Sequence, residues 1–307
     1  MPNQTTRLKS LDIVLWTVVL FWGTNYVIGK WGMLGFDPVT FNLLRFLGAT
    51  PVLFLLLYCF ERDLTVRLKH LPELAFVGLV GITIYQTLFM SAVKYATATN
   101  ASLLLAASPV FTALCASLLG QEQIGRRGWF GSIMALSGVV LVLLFGTSKL
   151  SFSMSILKGN LIGILASFVW GIYPIISHRS LQKYSALKTL AYSALFGTIF
   201  YLFIGINGLF QVSWSNIPLV SYGSLLFSIG PVTAFGLVAW NYGFSKVGAN
   251  RVMVYMYTIP IVAVASAALI LRERMHLLQI LGAVIIFVGI YFVRIDKENP
   301  AFAELQR

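Results

Sequence analysis

The sequence predicts an all-α integral membrane protein with ten transmembrane helices, arranged as two inverted repeats of five. Three observations carry this prediction. Of the 307 residues, 58% are hydrophobic and only 10% are charged, whereas soluble domains carry about a quarter charged residues. Apolar runs long enough for membrane helices, about 18 residues or more, recur along the chain. Helix-breaking and small residues also recur at one constant offset along the sequence.

The apolar runs define ten spans joined by short connections. At 1.5 Å per residue, each is long enough to cross a hydrocarbon core of about 30 Å. The spans cover roughly residues 11–29, 38–60, 72–92, 97–119, 127–146, 157–177, 188–206, 218–242, 249–271 and 277–294.

The constant offset is clearest in two stretches, SPVFTALCASLLGQE at 108–122 and IPIVAVASAALILRE at 259–273. Their prolines, Pro109 and Pro260, differ by 151 positions (260 − 109), and so do Glu122 and Glu273 (273 − 122). The same offset relates two pairs of glycines, Gly131 with Gly282 and Gly138 with Gly289.

Five helices is an odd number, so the second copy must enter the membrane upside down. The predicted halves are 1–150 and 151–307, and the break falls in TSKLSFSMSILK at 147–158. Inverted repeats of this kind are typical of secondary transporters, whose substrate site lies near the midplane between the halves.

Basic residues set the predicted orientation. With both termini in the cytoplasm, fifteen Lys and Arg residues lie inside and six outside, and Arg45 lies within a span; cytoplasmic loops carry the excess of positive charge. The exception is the pair Arg272 and Arg274, which this topology places outside. The net charge of +12 therefore reflects membrane topology, and no nucleic-acid partner is expected.

The chain resembles the drug/metabolite transporter superfamily, in particular its ten-helix EamA-type members. The resemblance rests on Trp22–Gly23 and Trp170–Gly171, on Arg45–Phe46, and on the two proline-to-glutamate runs with the glycine pairs that follow them. It implies ten helices, both termini inside, a bacterial inner membrane, and export or exchange of small metabolites.

Prolines inside spans release the carbonyl group four residues earlier, because proline has no N–H to donate. We expect kinks, with a gating role as the alternative to plain packing, at Pro109, Pro174, Pro231 and Pro260. Glu122 and Glu273 end their spans and are interpreted as junction residues, paired with neighbouring arginines: Arg126 or Arg127 for the first, Arg272 or Arg274 for the second. The small residues beside both prolines are interpreted as packing residues.

Candidate substrate-binding residues are the polar and aromatic side chains within spans. Buried amides and charges are costly in lipid, which makes them candidates for function. The candidates are Asn25, Tyr26, Arg45, Tyr85, Gln86, Trp170, Tyr173, Trp240, Asn241, Tyr255 and Tyr257. Tyr255 and Tyr257 are two positions apart, so at most one faces inward. Arg45 either binds a substrate carboxylate or phosphate, or bonds freed carbonyls structurally.

These features predict a secondary transporter that exports or exchanges amino acids or related small metabolites by alternating access. A sugar-phosphate, nucleotide-sugar or drug transporter is the alternative within that class, and a non-transporting membrane sensor or scaffold is the alternative outside it. The sequence has no Gly-x-Ser-x-Gly, His-Glu-x-x-His or Cys-x-x-Cys motif, so we expect no enzyme, no cofactor and no metal site. The expected partners are a small-molecule substrate and the lipid bilayer, and the protein is a monomer or a homodimer.

Overall fold

The structure is a computed structural model that describes residues 4–120, 124–145, 154–247 and 255–297. Within these ranges, the side chains at 4–10, 241, 244–247 and 296–297 are outside the description. Every regular element in the described ranges is helical, which confirms the predicted fold class. The predicted boundary between the halves lies outside the described residues.

The described part of the chain contains thirteen α-helices. In order, they are α1 Gln4–Gly32, α2 Pro38–Glu61, α3 Leu71–Gly78, α4 Tyr85–Tyr95, α5 Ala98–Leu105, α6 Ser108–Leu118, α7 Arg126–Phe145, α8 Met154–Lys183, α9 Ala186–Gln211, α10 Leu219–Phe227, α11 Gly236–Val247, α12 Ile259–Ile270 and α13 Leu277–Lys297. Two π-helical segments, Leu79–Ile84 and Ser228–Phe235, join α3 to α4 and α10 to α11.

Nine of the ten predicted spans appear in the described residues as helices or helix runs long and apolar enough to cross a membrane. The ninth predicted span is represented by α12, which has 12 residues; the first part of that span, 249–254, is outside the description. Some helices extend beyond the apolar spans predicted from the sequence. For example, α8 continues from the apolar stretch through Ser177–Lys183, because no proline or glycine stops it there.

The packing of helices between the two halves follows the repeat. When every helix of a packed pair is replaced by its repeat equivalent, the result is again a packed pair. Helix α1 packs against α12 and the α10–α11 run, and its counterpart α8 packs against α6 and the α3–α4 run. The other two pairs each join a helix to its own counterpart, α2 with α9 and α7 with α13. This is the packing that a pseudo-twofold axis between two five-helix units requires.

The crossing of α7 and α13 shows the inversion directly. A Cβ atom built on Gly131 would lie 2.5 Å from the Gly289 oxygen, and one built on Gly138 would lie 2.7 Å from the Gly282 oxygen. The early glycine of each helix therefore meets the late glycine of the other, so the helices are antiparallel. Small residues at such crossings allow the backbones of membrane helices to approach closely.

At one end of the bundle, Glu273 links the two halves. Its carboxylate accepts hydrogen bonds from the backbone N–H groups of Ala98 (2.9 Å) and Thr99 (3.0 Å) and from the Thr99 hydroxyl (2.8 Å). It thus caps α5, whose N-terminus favours a negative charge. The expected pairing with Arg272 or Arg274 is wrong, because neither forms a salt bridge with Glu273. Glu122 lies outside the described residues.

At the opposite end, the connection after α2 meets the start of α9. The buried ammonium group of Lys188 lies 2.6 Å from a carboxylate oxygen of Asp63. Hydrogen bonds from Lys188 and then from Thr65 hold the pKa of the Asp63 carboxyl well below its usual range. Asp63 therefore stays ionised at neutral pH and provides the counter-charge for Lys188.

Candidate functional site

Two helix breaks lie at equivalent places in the two halves. Helix α5 ends at Leu105 and α6 begins at Ser108, with Pro109 in its first turn. In the second half α12 begins at Ile259, with Pro260 in its first turn. We expected kinks at these prolines within continuous helices, and the structure shows breaks instead. Proline removes one hydrogen bond and its ring clashes with the carbonyl group one turn earlier. At these two positions the chain accommodates proline in the first turn of a new helix, where its missing N–H costs nothing.

Each break is contacted by the Trp–Gly pair of the opposite half. A Cβ on Gly23 of α1 would lie 2.6 Å from the Val262 Cβ and 3.1 Å from the Ile259 oxygen. A Cβ on Gly171 of α8 would lie 2.7 Å from the Ser108 oxygen. Ser108 and Ile259 are themselves repeat equivalents (259 − 108 = 151). Glycine at these two positions therefore lets each half pack closely on the break in the other.

The π-helical segments are repeat equivalents too, since Leu79 and Ile84 shifted by 151 positions give 230 and 235, within Ser228–Phe235. A π turn widens the helix and occurs often at functional sites. The Thr233 hydroxyl donates to the Ser228 carbonyl (2.6 Å) and accepts a bond from Arg45. The widened turn thus places a hydroxyl group deep in the bundle.

A cavity lies where these features converge, between the halves. It contains about 820 Å³ of space free of protein atoms, including its open mouth. Pockets that bind small molecules are mostly apolar with a few placed polar groups, and this cavity has that character. Its polar and proline lining residues are Asn25, Arg45, Gln86, Ser102, Ser108, Pro109 and Pro260. Its aromatic lining residues are Trp22, Tyr26, Tyr85, Phe89, Trp170 and Tyr257.

Arg45 is the charged group of the cavity, and only 2% of it is exposed. Its Nε donates to the Thr233 hydroxyl at 2.7 Å and its Nη1 donates to the Gln86 side-chain oxygen at 3.1 Å. The Asn42 amide donates to the Gln86 carbonyl at 2.9 Å, which fixes the backbone there. Three spans therefore hold the guanidinium in place.

Stacked rings form one wall. Trp170 stacks on Tyr85 with ring centroids 4.5 Å apart and on Tyr173 at 5.3 Å. Tyr26 meets Phe89 edge to face at 5.2 Å. Such arrangements give a rigid apolar surface on which a flat or aliphatic group can rest.

The cavity brings together seven of the eleven candidate binding residues: Asn25, Tyr26, Arg45, Tyr85, Gln86, Trp170 and Tyr257. Tyr173 and Trp240 do not line it; they lie behind Trp170 and Trp22, at ring distances of 5.3 and 5.1 Å. Tyr255 does not line it either, because its hydroxyl donates to Asp12 at 2.8 Å. As expected for residues two positions apart, only one of Tyr255 and Tyr257 faces inward. The Asn241 side chain lies outside the description.

Of the four proline candidates, only Pro109 and Pro260 line the cavity. Pro174 lies within the continuous helix α8, and Pro231 lies in the second π-helical segment.

Sequence reasoning missed several lining residues. Ser102 and Ser108 were assigned to packing, yet both border the cavity, as do the apolar Leu105 and Met256. Their position in the sequence could have indicated this role, because each lies within one or two helical turns of Pro109 or Pro260. Thr233 also went unnoticed, because a lone threonine in an apolar span gives no sign of its partner 188 positions away.

Comparison with known proteins agrees with this architecture. The EamA-like transporter family matches the chain at residues 9–144 and again at 157–295. A Bacillus subtilis protein named "Uncharacterized transporter YyaM" is 24% identical over 94% of this chain and 96% of its own length. A Salmonella typhimurium protein named "Probable amino-acid metabolite efflux pump" is 27% identical over 89% of this chain and 91% of its own length.

A solved crystal structure has the same fold, with a TM-score of 0.64 at 19% identity over 93% of this chain and 96% of that chain. The two family matches cover most of both halves, so the resemblance drawn from the sequence is confirmed. The chain belongs to the EamA-like transporter family of the drug/metabolite transporter superfamily.

Proposed function

We propose that this multi-pass membrane protein is a secondary transporter that exports or exchanges amino acids or related small metabolites across the cytoplasmic membrane by alternating access. We further propose that both termini lie in the cytoplasm. The observation that carries the proposal is the cavity between the two halves, which both helix breaks border.

The breaks support a transport role for a physical reason. Backbone that is not helical is tolerated at membrane depth only where protein buries it or a wet cavity adjoins it. Here both breaks adjoin a cavity, and each packs on a helix of the opposite half through Gly23 or Gly171. A rocking movement of one half against the other would loosen one contact while tightening its counterpart, which opens the cavity alternately to the two sides.

The substrate class is supported by the lining and by one relative. A stacked aromatic wall, two amides and one guanidinium suit a small amphipathic metabolite. The Salmonella typhimurium relative is named "Probable amino-acid metabolite efflux pump". None of the described lining residues is acidic, so exchange without a proton relay is the simplest mode.

Counterflow in proteoliposomes tests this proposal. Vesicles loaded with one unlabelled amino acid at a time are diluted into the same labelled amino acid without any ion gradient. We expect accumulation of a few amino acids. Trp170→Ala, which removes a cavity wall, should reduce it, whereas Trp129→Ala, at an exposed position on α7, should not.

The alternatives predict different outcomes of the same assay. Counterflow only with sugar phosphates, nucleotide sugars or cationic drugs would replace the substrate class. Ligand binding without counterflow of any compound would contradict transport and favour a sensor.

A further inference from the structure

Arg45 is a buried cation with no acidic partner among the described residues. Its Nε and Nη1 are used by Thr233 and Gln86, and its Nη2 makes no hydrogen bond to a described residue. The nearest compensation is the face of the Phe46 ring, 5.3 Å from the guanidinium carbon. A buried charge without a counter-ion is costly, so such groups pair with another charge or mark a ligand pathway.

Two helix starts add to this positive field. Helices α6 and α12 have 11 and 12 residues, and no side chain caps the N-terminus of either. Their first residues, Ser108 with Pro109 and Ile259 with Pro260, border the same cavity as Arg45. Helix N-termini carry partial positive charge and attract anions. With no acid among the described lining residues, the side-chain charge of the cavity is positive.

We propose that the cavity binds its substrate through a single carboxylate held by Nη2 of Arg45, with the apolar body of the substrate on the wall of Tyr85 and Trp170. This deepens the proposed function and rests on it for the site. One guanidinium matches one negative charge, which favours a carboxylate over a doubly charged phosphate. The described lining residues include no acid, so an organic cation without a carboxylate lacks a charge partner in the cavity.

Binding to the purified full-length protein in detergent tests this inference without any need for transport. Ligand-induced shifts of the melting temperature report affinity because a ligand that binds the folded state stabilises it. The probes are phenylalanine, 3-phenylpropionate, phenylalaninamide, 2-phenylethylamine and phenyl phosphate, together with leucine, 4-methylpentanoate and leucinamide. These compounds vary the carboxylate, the amino group and the apolar part of the ligand independently.

We expect at least one of the two carboxylate series to bind, and the amides and the amine to bind about 10- to 100-fold more weakly, the worth of a charge-assisted hydrogen bond. Equal or tighter binding of an amide, the amine or phenyl phosphate would overturn the proposal. So would a lack of binding by every carboxylate.

Variants provide a second readout. Arg45→Gln should abolish the preference for acids and Arg45→Lys should retain part of it, whereas Arg67→Gln, at an exposed position between spans, should leave it unchanged. Since Arg45 also bonds to Thr233 and Gln86, its variants are first checked for a monodisperse elution profile. If the variants fail to fold, the comparison of probes in the unchanged protein still tests the proposal.

The two assays distinguish this inference from the proposed function. Acid-selective binding without counterflow would contradict only transport, and counterflow with equal binding of amides would contradict only the carboxylate site.

Discussion

Gly131→Ala is expected to disrupt the antiparallel crossing of α7 and α13. The added Cβ would lie 2.5 Å from the Gly289 oxygen, 2.7 Å from the Phe292 Cβ and 2.8 Å from the Val293 nitrogen. Ordinary contact begins at 3.4 Å, so the helices must separate by nearly an ångström (3.4 − 2.5). Two of these three atoms belong to backbone, and no change of rotamer relieves the clash.

The size of the effect follows from two terms. Overpacking costs about 1–3 kcal/mol, while replacing glycine by alanine in a helix gains up to about 1 kcal/mol. Gly223→Ala on α10 is the matched control, since nothing lies within 4 Å of its added Cβ. It gains the helix term without the clash, so the difference between the two variants isolates the packing term of about 1–3 kcal/mol.

Thermal melting of both variants in the same detergent measures this difference. We expect Gly131→Ala to melt several degrees below Gly223→Ala. Equal melting temperatures would refute the reasoning, because they would mean that α7 and α13 do not cross at these glycines. The inverted packing of the two halves would then lose its most direct support.

Three further predictions concern the contact between α8 and α6, the cap of α5 and the cavity wall. Gly171→Ala should lower transport rates, because its added Cβ would lie 2.7 Å from the Ser108 oxygen. Gly163→Ala should change the rates less, since the nearest neighbour of its Cβ is a side-chain atom at 3.2 Å. Equal counterflow rates of the two variants would contradict this. Glu273→Gln should destabilise the protein by about 1.5–3 kcal/mol, the contribution of a hydrogen bond to a charged group. Thr99→Val removes one donor to Glu273 and should destabilise the protein less. A lower melting temperature for Thr99→Val than for Glu273→Gln would contradict the role of Glu273 as a cap. Gln86→Ala and Trp170→Ala should each impair transport more than folding, and normal flux at equal protein levels would remove both residues from the site.

Composition and the internal repeat predicted the architecture well because both can be recognised in the sequence without knowing which residues touch. The offset of 151 residues marked Gly131 and Gly282 as equivalents, and an odd number of helices required inversion. What the offset did not indicate is which glycine meets which across the interface. The structure pairs Gly131 with Gly289, the partner that an antiparallel crossing selects.

The candidate site was predicted in part. Amides and aromatic residues within spans pointed to the cavity, and seven of the eleven candidates line it. The misses have physical reasons. Tyr255 finds the Asp12 carboxylate, and Glu273 finds two free N–H groups at a helix start 174 and 175 positions away. A sequence shows neighbouring charges, such as Arg272, but not distant helix ends that compete for the same carboxylate. Likewise, proline alone does not reveal whether a helix continues, as α8 does at Pro174, or stops, as at Pro109.

Alternating access to the cavity is the central claim, and the accessibility of a single cysteine tests it most directly. Cys59 and Cys115 are replaced, and Ala106→Cys places a thiol at a half-buried position on the cavity wall. A membrane-impermeant thiol reagent is applied to right-side-out and to inside-out vesicles, with Lys69→Cys on an exposed connection as the control. We predict that position 106 is labelled from both sides, while position 69 is labelled from one side only. Labelling of position 106 from a single side, or from neither, would contradict alternating access.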